Sequence, residues 1–169
     1  HAEVYRGTRN GLESTPSWIL DNDYTNSDFG ISVSSAGDVN GDGYDDVIVG
    51  AALADPGGAS AAGESYVLFG KSGSLPASFD LSTLNGANGF RLDGIDTYDH
   101  SGCSVSSAGD VNGDGFDDIL IGEPGETGLE QTGRAFLLYG GTSPGTVDVA
   151  SLIDDAAAAQ NGVDGRILA

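Results

Sequence analysis

Short apolar segments alternate with turns rich in glycine, asparagine and aspartate along most of the chain. Ser32 to Ser34 and Ser104 to Ser106 alternate polar and apolar residues, a pattern typical of half-buried strands. Val47 to Val49 and Ile119 to Ile121 are continuous branched apolar runs, which is typical of strands buried on both faces. The pattern therefore predicts an all-β fold built from short strands.

One segment occurs twice, and the predicted strands are arranged around it. Asp38 to Gly50 has the sequence DVNGDGYDDVIVG and Asp110 to Gly122 has DVNGDGFDDILIG, so the copies start 72 residues apart. In each copy a polar loop leads directly into a buried apolar run. A generic turn does not explain why every polar position of the loop is kept in both copies.

The repeated loop has the residue types and spacing of a calcium loop. Oxygen-bearing side chains occupy its first, third, fifth and ninth positions, and glycine occupies the sixth. Ca²⁺ takes roughly 6 to 8 oxygen ligands, and a tight loop supplies them through alternate side chains and a main-chain carbonyl at position seven. Three carboxylates in so short a loop repel one another without a cation, so we expect metal binding to be coupled to folding. The predicted ligands of the two calcium ions are Asp38, Asn40, Asp42, Tyr44 and Asp46 in the first loop, and Asp110, Asn112, Asp114, Phe116 and Asp118 in the second.

Helical calcium loops share the opening letters of this segment but differ further along. EF-hands and dockerin repeats need an acidic residue at position twelve, where this chain has Val49 and Ile121. The apolar run at this point predicts a strand rather than an exiting helix. The loops are therefore expected to join strand to strand.

The residues around the loop resemble a known repeat. Phe29-Gly30, then SVSSAGDVNGDGYDDVIVG, then Gly50-Ala51-Ala52 resemble the FG-GAP repeat of integrin α-subunit β-propellers and their bacterial relatives. The second copy departs at its flanks, with Ser101-Gly102 for Phe-Gly and Gly122-Glu123-Pro124 for Gly-Ala-Pro. The resemblance covers two full repeats. It implies antiparallel four-stranded propeller blades of bacterial type, with calcium in a loop between strands and no catalytic residues.

This repeat pattern predicts five parts along the chain. Residues 151–161, with sequence SLIDDAAAAQN, carry helix-capping and alanine signals that predict one short helix near the C-terminus. The five predicted parts are the last strand of a preceding blade with a linker (1–16), the first FG-GAP blade (17–70), a connector (71–88), the second FG-GAP blade (89–140), and a connector, the short helix and the opening strand of a further blade (141–169).

The net charge of the chain limits the partners that it is expected to bind and the compartment in which it is expected to act. The chain carries 26 acidic and 6 basic residues, giving a formal charge of −20. Such a surface repels nucleic acid and anionic membranes, and no apolar stretch approaches the length of a membrane span. Calcium at millimolar levels outside cells would fill weak sites. We therefore expect an extracellular protein, secreted or at the cell surface. Because the chain begins at His1 and contains no methionine, we expect a processed product or an excised piece.

Enzymatic motifs find no match in the sequence. It has no HExxH, nucleophile elbow, Walker loop or Cys–His metal spacing, so we expect no catalysis. His100 lies beside Asp99 and Ser101, but three sequence neighbours cannot converge as a relay, and a solvated turn is expected.

Several single residues receive structural rather than functional interpretations. Trp18 is predicted to lie in the core, while a lid on the blade or a sugar-binding platform stays open for it. Cys103 aligns with the apolar Ile31 and is predicted to be buried. Glu123 is predicted to be a surface acid, as is Glu126. Asp45 and Asp117, at the eighth position of each loop, are predicted to face solvent or to support the metal ligands from outside.

Two blades are too few to close a propeller, which needs about 4 to 8. We therefore expect neighbouring blades of a longer parent chain, or association between copies. The favoured hypothesis is a calcium-binding extracellular module for adhesion or assembly, with protein or glycan partners at the cell surface. One alternative is a self-assembling subunit of an extracellular polymer or ring, completed by strand or blade exchange. Another is an accessory module of a larger secreted hydrolase.

Overall fold

A computed structural model of the chain describes residues 1–21, 26–73, 78–125, 133–142, 147–148 and 165–168. This part consists of strands, loops and two short 3₁₀ turns, Pro56–Gly58 and Leu81–Thr83. The all-β prediction is therefore confirmed. The short helix predicted for residues 151–161 lies outside the described residues. Within the described residues, no helix has the length and apolar character needed to span a membrane.

The strands form three main sheets and one small hairpin. In chain order they are β1 (Ala2–Val4), β2 (Gly7–Thr8), β3 (Gly11–Leu12), β4 (Trp18–Asp21), β5 (Phe29–Gly37), β6 (Asp46–Ala51), β7 (Glu64–Leu68), β8 (Ser78–Asp80), β9 (Gly89–Asp93), β10 (Ser104–Gly109), β11 (Asp118–Glu123), β12 (Arg134–Leu138), β13 (Val147–Asp148) and β14 (Gly165–Leu168).

The central sheet has the order β13-β9-β7-β6-β5. Strands β5, β6, β7 and β9 pair antiparallel, and β13 adds to β9 in parallel. The second sheet repeats the four antiparallel strands in the order β10-β11-β12-β14. The prediction of antiparallel four-stranded blades is confirmed for both sheets.

The third sheet resembles the outer part of the central one. Its strand β4 pairs antiparallel with β1 and parallel with β8, just as β9 pairs antiparallel with β7 and parallel with β13. The small hairpin of β2 and β3 follows β1. The described chain therefore contains two complete blade sheets and the outer strands of a third.

The sheets are offset from the sequence repeats. Strand β9, which opens the second repeat in sequence, is hydrogen-bonded to β7 of the central sheet. Strand β14, at the position predicted to open a further blade, pairs with β12 of the second sheet. Each of these strands follows a long connector, so local sequence does not fix the sheet edge to which it pairs.

Two apolar cores lie on the two faces of the central sheet. One core joins it to the second sheet and includes Ile48 and Val67, each with no exposed surface. The other joins it to the third sheet and includes Val49, Tyr66 and Trp18. Neighbouring residues of β6 thus face opposite cores, which explains its continuous apolar sequence. The predicted core position of Trp18 agrees with its 3% exposure.

Cys103 corrects one prediction, because its side chain is exposed. Its alignment partner Ile31 is also exposed, at 55%. Cys103 lies in a bend before β10, where its amide donates to the His100 carbonyl. Ile31 lies in β5 where the pairing with β6 shifts register, and its amide donates to the Asp28 carbonyl. Since the alternation of buried and exposed positions holds only within regular strands, the apolar character of Ile31 did not indicate burial.

Candidate metal centre

Each predicted calcium loop joins two adjacent strands of one blade. Residues 38–45 connect β5 to β6, and residues 110–117 connect β10 to β11. The strand pairing shifts register immediately before each loop. Gly43 and Gly115, at the sixth positions, have φ values of 88° and 93°, a conformation that glycine adopts without steric cost. The structure thus places the sixth-position glycines where the sharp turn requires them.

The side chains at positions one, three and five of the first loop turn toward the backbone of the loop itself. The Asp38 carboxylate accepts from the amides of Asp42 and Gly43, at 3.0 and 2.9 Å. The Asn40 side-chain oxygen also accepts from the Asp42 amide, at 2.9 Å. Asp42 in turn accepts from the Tyr44 amide at 3.0 Å. Alternate oxygens therefore converge on one side of a tight loop.

The second loop repeats these hydrogen bonds and adds one, in which the Gly113 amide donates to Asp110 at 2.7 Å. Asp110 accepts from the amides of Asp114 and Gly115, at 3.0 and 2.9 Å. Asn112 accepts from the Asp114 amide at 3.0 Å, and Asp114 accepts from the Phe116 amide at 2.9 Å. The equivalent sequences of the two loops therefore form one shared set of hydrogen bonds.

The ninth-position carboxylates differ from the others because they are buried. Asp46 is 1% exposed, and it accepts from the amides of Val39 at 3.0 Å and Gly70 at 2.8 Å. Burial raises the pKa of Asp46 to about 6; the charges of Asp42 and Asp38 add to this shift, and the two amides oppose it. Asp46 thus ties the start of its loop to Gly70, the second residue after β7.

Asp118 occupies the same place in the second blade. It has no exposed surface, and it accepts from the amides of Val111 at 2.8 Å and Gly140 at 3.0 Å. Each ninth-position acid is the first residue of a buried strand, so the strand fixes where its carboxylate points.

The side-chain oxygens of each loop are of the chemical type that a hard divalent cation prefers as ligands. Among the described residues, no three Asp, Glu, His or Cys side chains form a group close enough to hold a metal ion, because the loop carboxylates are turned toward backbone amides. A carboxylate has about four lone-pair positions, and the amide bonds leave some of them free. The charges of Asp38 and Asp42 add to the raised pKa of Asp46, so the three carboxylates of the first loop act on one another. The loops thus offer the donor types of a calcium site, but the described side chains do not gather three acidic groups around one point.

The seventh-position residues have different surroundings. The ring of Tyr44 is 43% exposed. The ring of Phe116 lies against Gly41 of the first loop, where an added Cβ would be 2.4 Å from a ring carbon. Tyr44 and Phe116, the two predicted main-chain ligands, thus have side chains in different environments: one is exposed and the other contacts the neighbouring loop.

Asp117, at the eighth position of the second loop, contacts the first loop directly. Its carboxylate accepts from the Asp38 amide at 2.8 Å, and its own amide donates to the Asp38 carbonyl at 3.1 Å. Asp45, at the same position of the first loop, is exposed. Because both loops carry aspartate here, no signal in the local sequence distinguishes these two residues.

A second polar cluster joins the start of the second repeat to its strands. Arg134 pairs with Asp99 at 2.6 Å and with Glu123 at 3.2 Å. Glu123 is 2% exposed, so its prediction as a surface acid is wrong; the cation of Arg134 makes its burial tolerable. Burial raises the pKa of Glu123 to about 7. Glu126, predicted to be its surface neighbour, lies outside the described residues.

The residue types of a catalytic relay are not assembled around His100. Asp99 is engaged with Arg134, and it also accepts from the Asp96 amide at 3.0 Å. His100 Nδ1 lies 3.3 Å from the Ala52 carbonyl oxygen, and the residue is half-buried. The turn at His100 is therefore packed against the first repeat.

A family model described as "FG-GAP repeat" matches residues 29–68 and 104–138. These two ranges contain the inner strands of both complete sheets and both loops. The match agrees with the repeat that the sequence motifs indicated.

Several curated relatives are integrin α subunits. The chain is 37% identical to integrin alpha-5 of Xenopus laevis over 124 residues, which is 71% of this chain and 10% of that protein. It is 36% identical to integrin alpha-E of Mus musculus over 102 residues, 58% of this chain and 8% of that protein. It is 32% identical to integrin alpha-11 of Homo sapiens over 124 residues, 72% of this chain and 9% of that protein. The chain thus spans about a tenth of the length of these relatives.

Proposed function

Since the chain carries FG-GAP repeats similar to those of integrin α subunits, we propose that it is a calcium-binding, non-catalytic β-propeller module that acts outside the cell in adhesion or assembly. The observation that carries the proposal is the duplicated loop. Two loops in separate blades share one arrangement of inward oxygens and one buried ninth-position carboxylate. A purely structural turn does not require this concentration of negative charge.

The proposed ligands are those that the residue types and spacing of each loop predict. In the first loop the cation would be held by Asp38, Asn40 and Asp42, with the Tyr44 carbonyl and the Asp46 carboxylate. The corresponding ligands in the second loop are Asp110, Asn112, Asp114, Phe116 and Asp118. A bound Ca²⁺ supplies positive charge that offsets the repulsion among the carboxylates of each loop. The backbone amides of the loop orient the same oxygens and keep the turn closed.

The charge of the chain supports an extracellular setting for this module. A formal charge of −20 disfavours nucleic acid and anionic membrane surfaces as partners. Proteins or glycans at the cell surface are the proposed partners, and the similarity to integrin α subunits supports a protein partner in particular.

Removing one ligand from each loop tests the metal proposal. We expect the double variant Asp42→Ala and Asp114→Ala to lose the rise in melting temperature that millimolar calcium gives the unmodified chain. The fifth-position acids are suitable targets because both are exposed, so their truncation leaves the apolar cores intact. Differential scanning calorimetry in calcium and in chelator measures the effect.

Asp45→Ala is the matched control, since it removes an exposed carboxylate from the first loop without removing a proposed ligand. It should keep the calcium-dependent rise. An equal rise in the double variant and the unmodified chain would contradict the proposal.

A specific observation also supports self-assembly as a second candidate. An apolar groove of about 440 Å³ runs between β1 and the inner strands of the central sheet. Val33 in this groove is 60% exposed, and among the described strands β1 pairs only with β4. An open strand edge beside an apolar groove favours pairing with another strand. The residues that line the groove include Ala2, Val4, Leu20, Val33, Val47 and Val49.

Light scattering in calcium separates this candidate from a monomeric module. Self-assembly predicts a concentration-dependent increase in mass that Val33→Glu abolishes, because the new charge would lie in the groove. A constant monomer mass for the unmodified chain at high concentration would contradict self-assembly and leave the calcium proposal intact.

A further inference from the structure

We propose that Asp117 couples the two loops, so that a cation in the second loop strengthens cation binding in the first. This inference rests on the proposed calcium function, and it assigns to Asp117 a positioning role at a site to which it supplies no ligand. The residue lies between the proposed ligands Phe116 and Asp118 of its own loop. Ordering of the second loop therefore orders Asp117 as well.

Asp117 holds the first ligand residue of the neighbouring loop from two sides. Its carboxylate accepts from the Asp38 amide at 2.8 Å, while its amide donates to the Asp38 carbonyl at 3.1 Å. Both hydrogen bonds engage the main chain of Asp38, so the side chain of Asp38 stays available to its own loop. Asp38 accepts there from the Asp42 and Gly43 amides. The pair of contacts thus fixes the residue on which the first loop closes.

Two further contacts hold the same half of the first loop. The ring of Phe116 lies against Gly41, and the Gly141 amide donates to the Val39 carbonyl at 2.8 Å. All these contacts come from the second blade and reach residues 38–41. The ligand-bearing start of the first loop is therefore shaped by the second blade as well as by its own sequence.

The second loop has no matching support among the described residues. Space within 4 Å of an added Cβ is empty at Gly109 and at Gly113, whereas the equivalent Gly37 and Gly41 face Asp117 and Phe116. Asp45 is exposed. The contact therefore acts on the first loop alone, although by thermodynamic linkage the resulting increase in calcium affinity is shared by both sites.

Separate readouts for the two loops make this inference testable. Terbium, a luminescent substitute for calcium, is excited by nearby Tyr or Trp rings. Tyr44 belongs to the first loop, and Trp18 lines a cleft with Asp42 of the same loop, whereas the second loop has phenylalanine at the seventh position. Because Tyr139 precedes Gly140, whose amide donates to Asp118 of the second loop, the titrations use a Tyr139→Phe background. In that background sensitised luminescence reports mainly on the first loop, and isothermal titration with calcium reports on both.

We expect Asp117→Ala to weaken terbium binding at the first loop about tenfold, within the usual range of coupling between sites, and to remove cooperativity from the calcium titration. Asp117→Asn keeps an oxygen that accepts from the Asp38 amide but loses its charge, so it should recover part of the affinity. If Asp117→Ala folds poorly, Asp117→Asn alone tests whether the charge of Asp117 strengthens cation binding at the first loop. Asp45→Ala is the matched control and should bind terbium as the unmodified chain does.

The outcomes separate this inference from the function on which it rests. First-loop affinity that is unchanged in Asp117→Ala, while the unmodified chain binds two cations, overturns the coupling alone. Equal losses in Asp117→Ala and Asp45→Ala also overturn it, because the effect would then be one of general charge. Absence of cation binding in the unmodified chain overturns the proposed function together with the coupling.

Discussion

The two loops share most of their internal hydrogen bonds but have different surroundings. Val39 and Val111 are equivalent residues, each at position two of its loop. Val39 is 2% exposed and belongs to the core between the central and second sheets, whereas Val111 is 56% exposed. Gly37 of the first loop faces Asp117, while Gly109 faces open space. The hydrogen bonding inside each loop is therefore determined by the local sequence, whereas the burial of the loop depends on the blade packed beside it.

The strands behind the loops differ in the same way. The final residue of β6 is Ala51, and its equivalent in β11 is Glu123; both are buried. Glu123 is compensated by Arg134, whereas Ala51 needs no partner. At this strand position the second repeat buries the charge itself, whereas the first repeat buries an apolar residue and carries its buried acid, Glu64, on the strand opposite, where Arg91 is its partner.

The largest expected effect concerns this buried ion pair. Because the folded-state pKa of Glu123 is raised from 4.5 to about 7, its contribution to stability is fully present below about pH 4.5. It is lost as the pH rises through about 7. We expect the stability of the unmodified chain, relative to Glu123→Gln, to fall by about 2 to 3 kcal/mol across this window. Urea unfolding at several pH values in calcium-free buffer measures it.

A surface carboxylate provides the control for this pH dependence. Asp45→Asn removes an exposed acid and should give a stability profile parallel to that of the unmodified chain. If Glu123→Gln also gave a profile parallel to that of the unmodified chain, the burial of Glu123 would carry no pH-dependent stability, and this part of the comparison would fail.

The next effect concerns the valine pair. Val39→Ala should destabilise the chain by about 2 kcal/mol, since it deletes two buried methyl groups and leaves a cavity. Val111→Ala should change stability by about 0.5 kcal/mol or less, because the side chain is exposed. Chemical denaturation of the two variants gives both values. Similar losses at the two positions would show that the loops are equally covered in solution.

The smallest effect concerns the glycine pair before the loops. Gly37 and Gly109 have φ values of 74° and 67°, so alanine at either position costs about 1 kcal/mol in backbone strain. An alanine Cβ at Gly37 would also lie 2.2 Å from the Asp117 carboxylate and would displace it. We therefore expect Gly37→Ala to destabilise by about 1 kcal/mol more than Gly109→Ala in thermal unfolding. Equal losses would count against docking of the first loop onto Asp117.

Features with a local cause could be predicted from the sequence. The alternation of oxygens, the sixth-position glycine and the apolar run after Asp46 determine a hairpin loop leading into a buried strand, because each contact spans only a few residues. The core position of Trp18 followed from its place in an apolar segment. The strand character of β6 and β11 was predicted for the same reason.

Features that depend on neighbouring blades could not be predicted in this way. Asp45 and Asp117 are equivalent in sequence, yet only Asp117 has a loop of another blade beside it. The burial of Glu123 depends on Arg134, which belongs to a different strand. The pairing of β9 with β7 follows a long connector. In each case the decisive partner is distant in sequence.

The central claim is that each loop holds one calcium ion. Isothermal titration of the metal-free chain with calcium in the millimolar range tests it most directly. We expect two calcium ions per chain, reduced to one when either Asp42→Ala or Asp114→Ala is introduced. Absence of binding at millimolar calcium, or two ions that persist in both single variants, would contradict it.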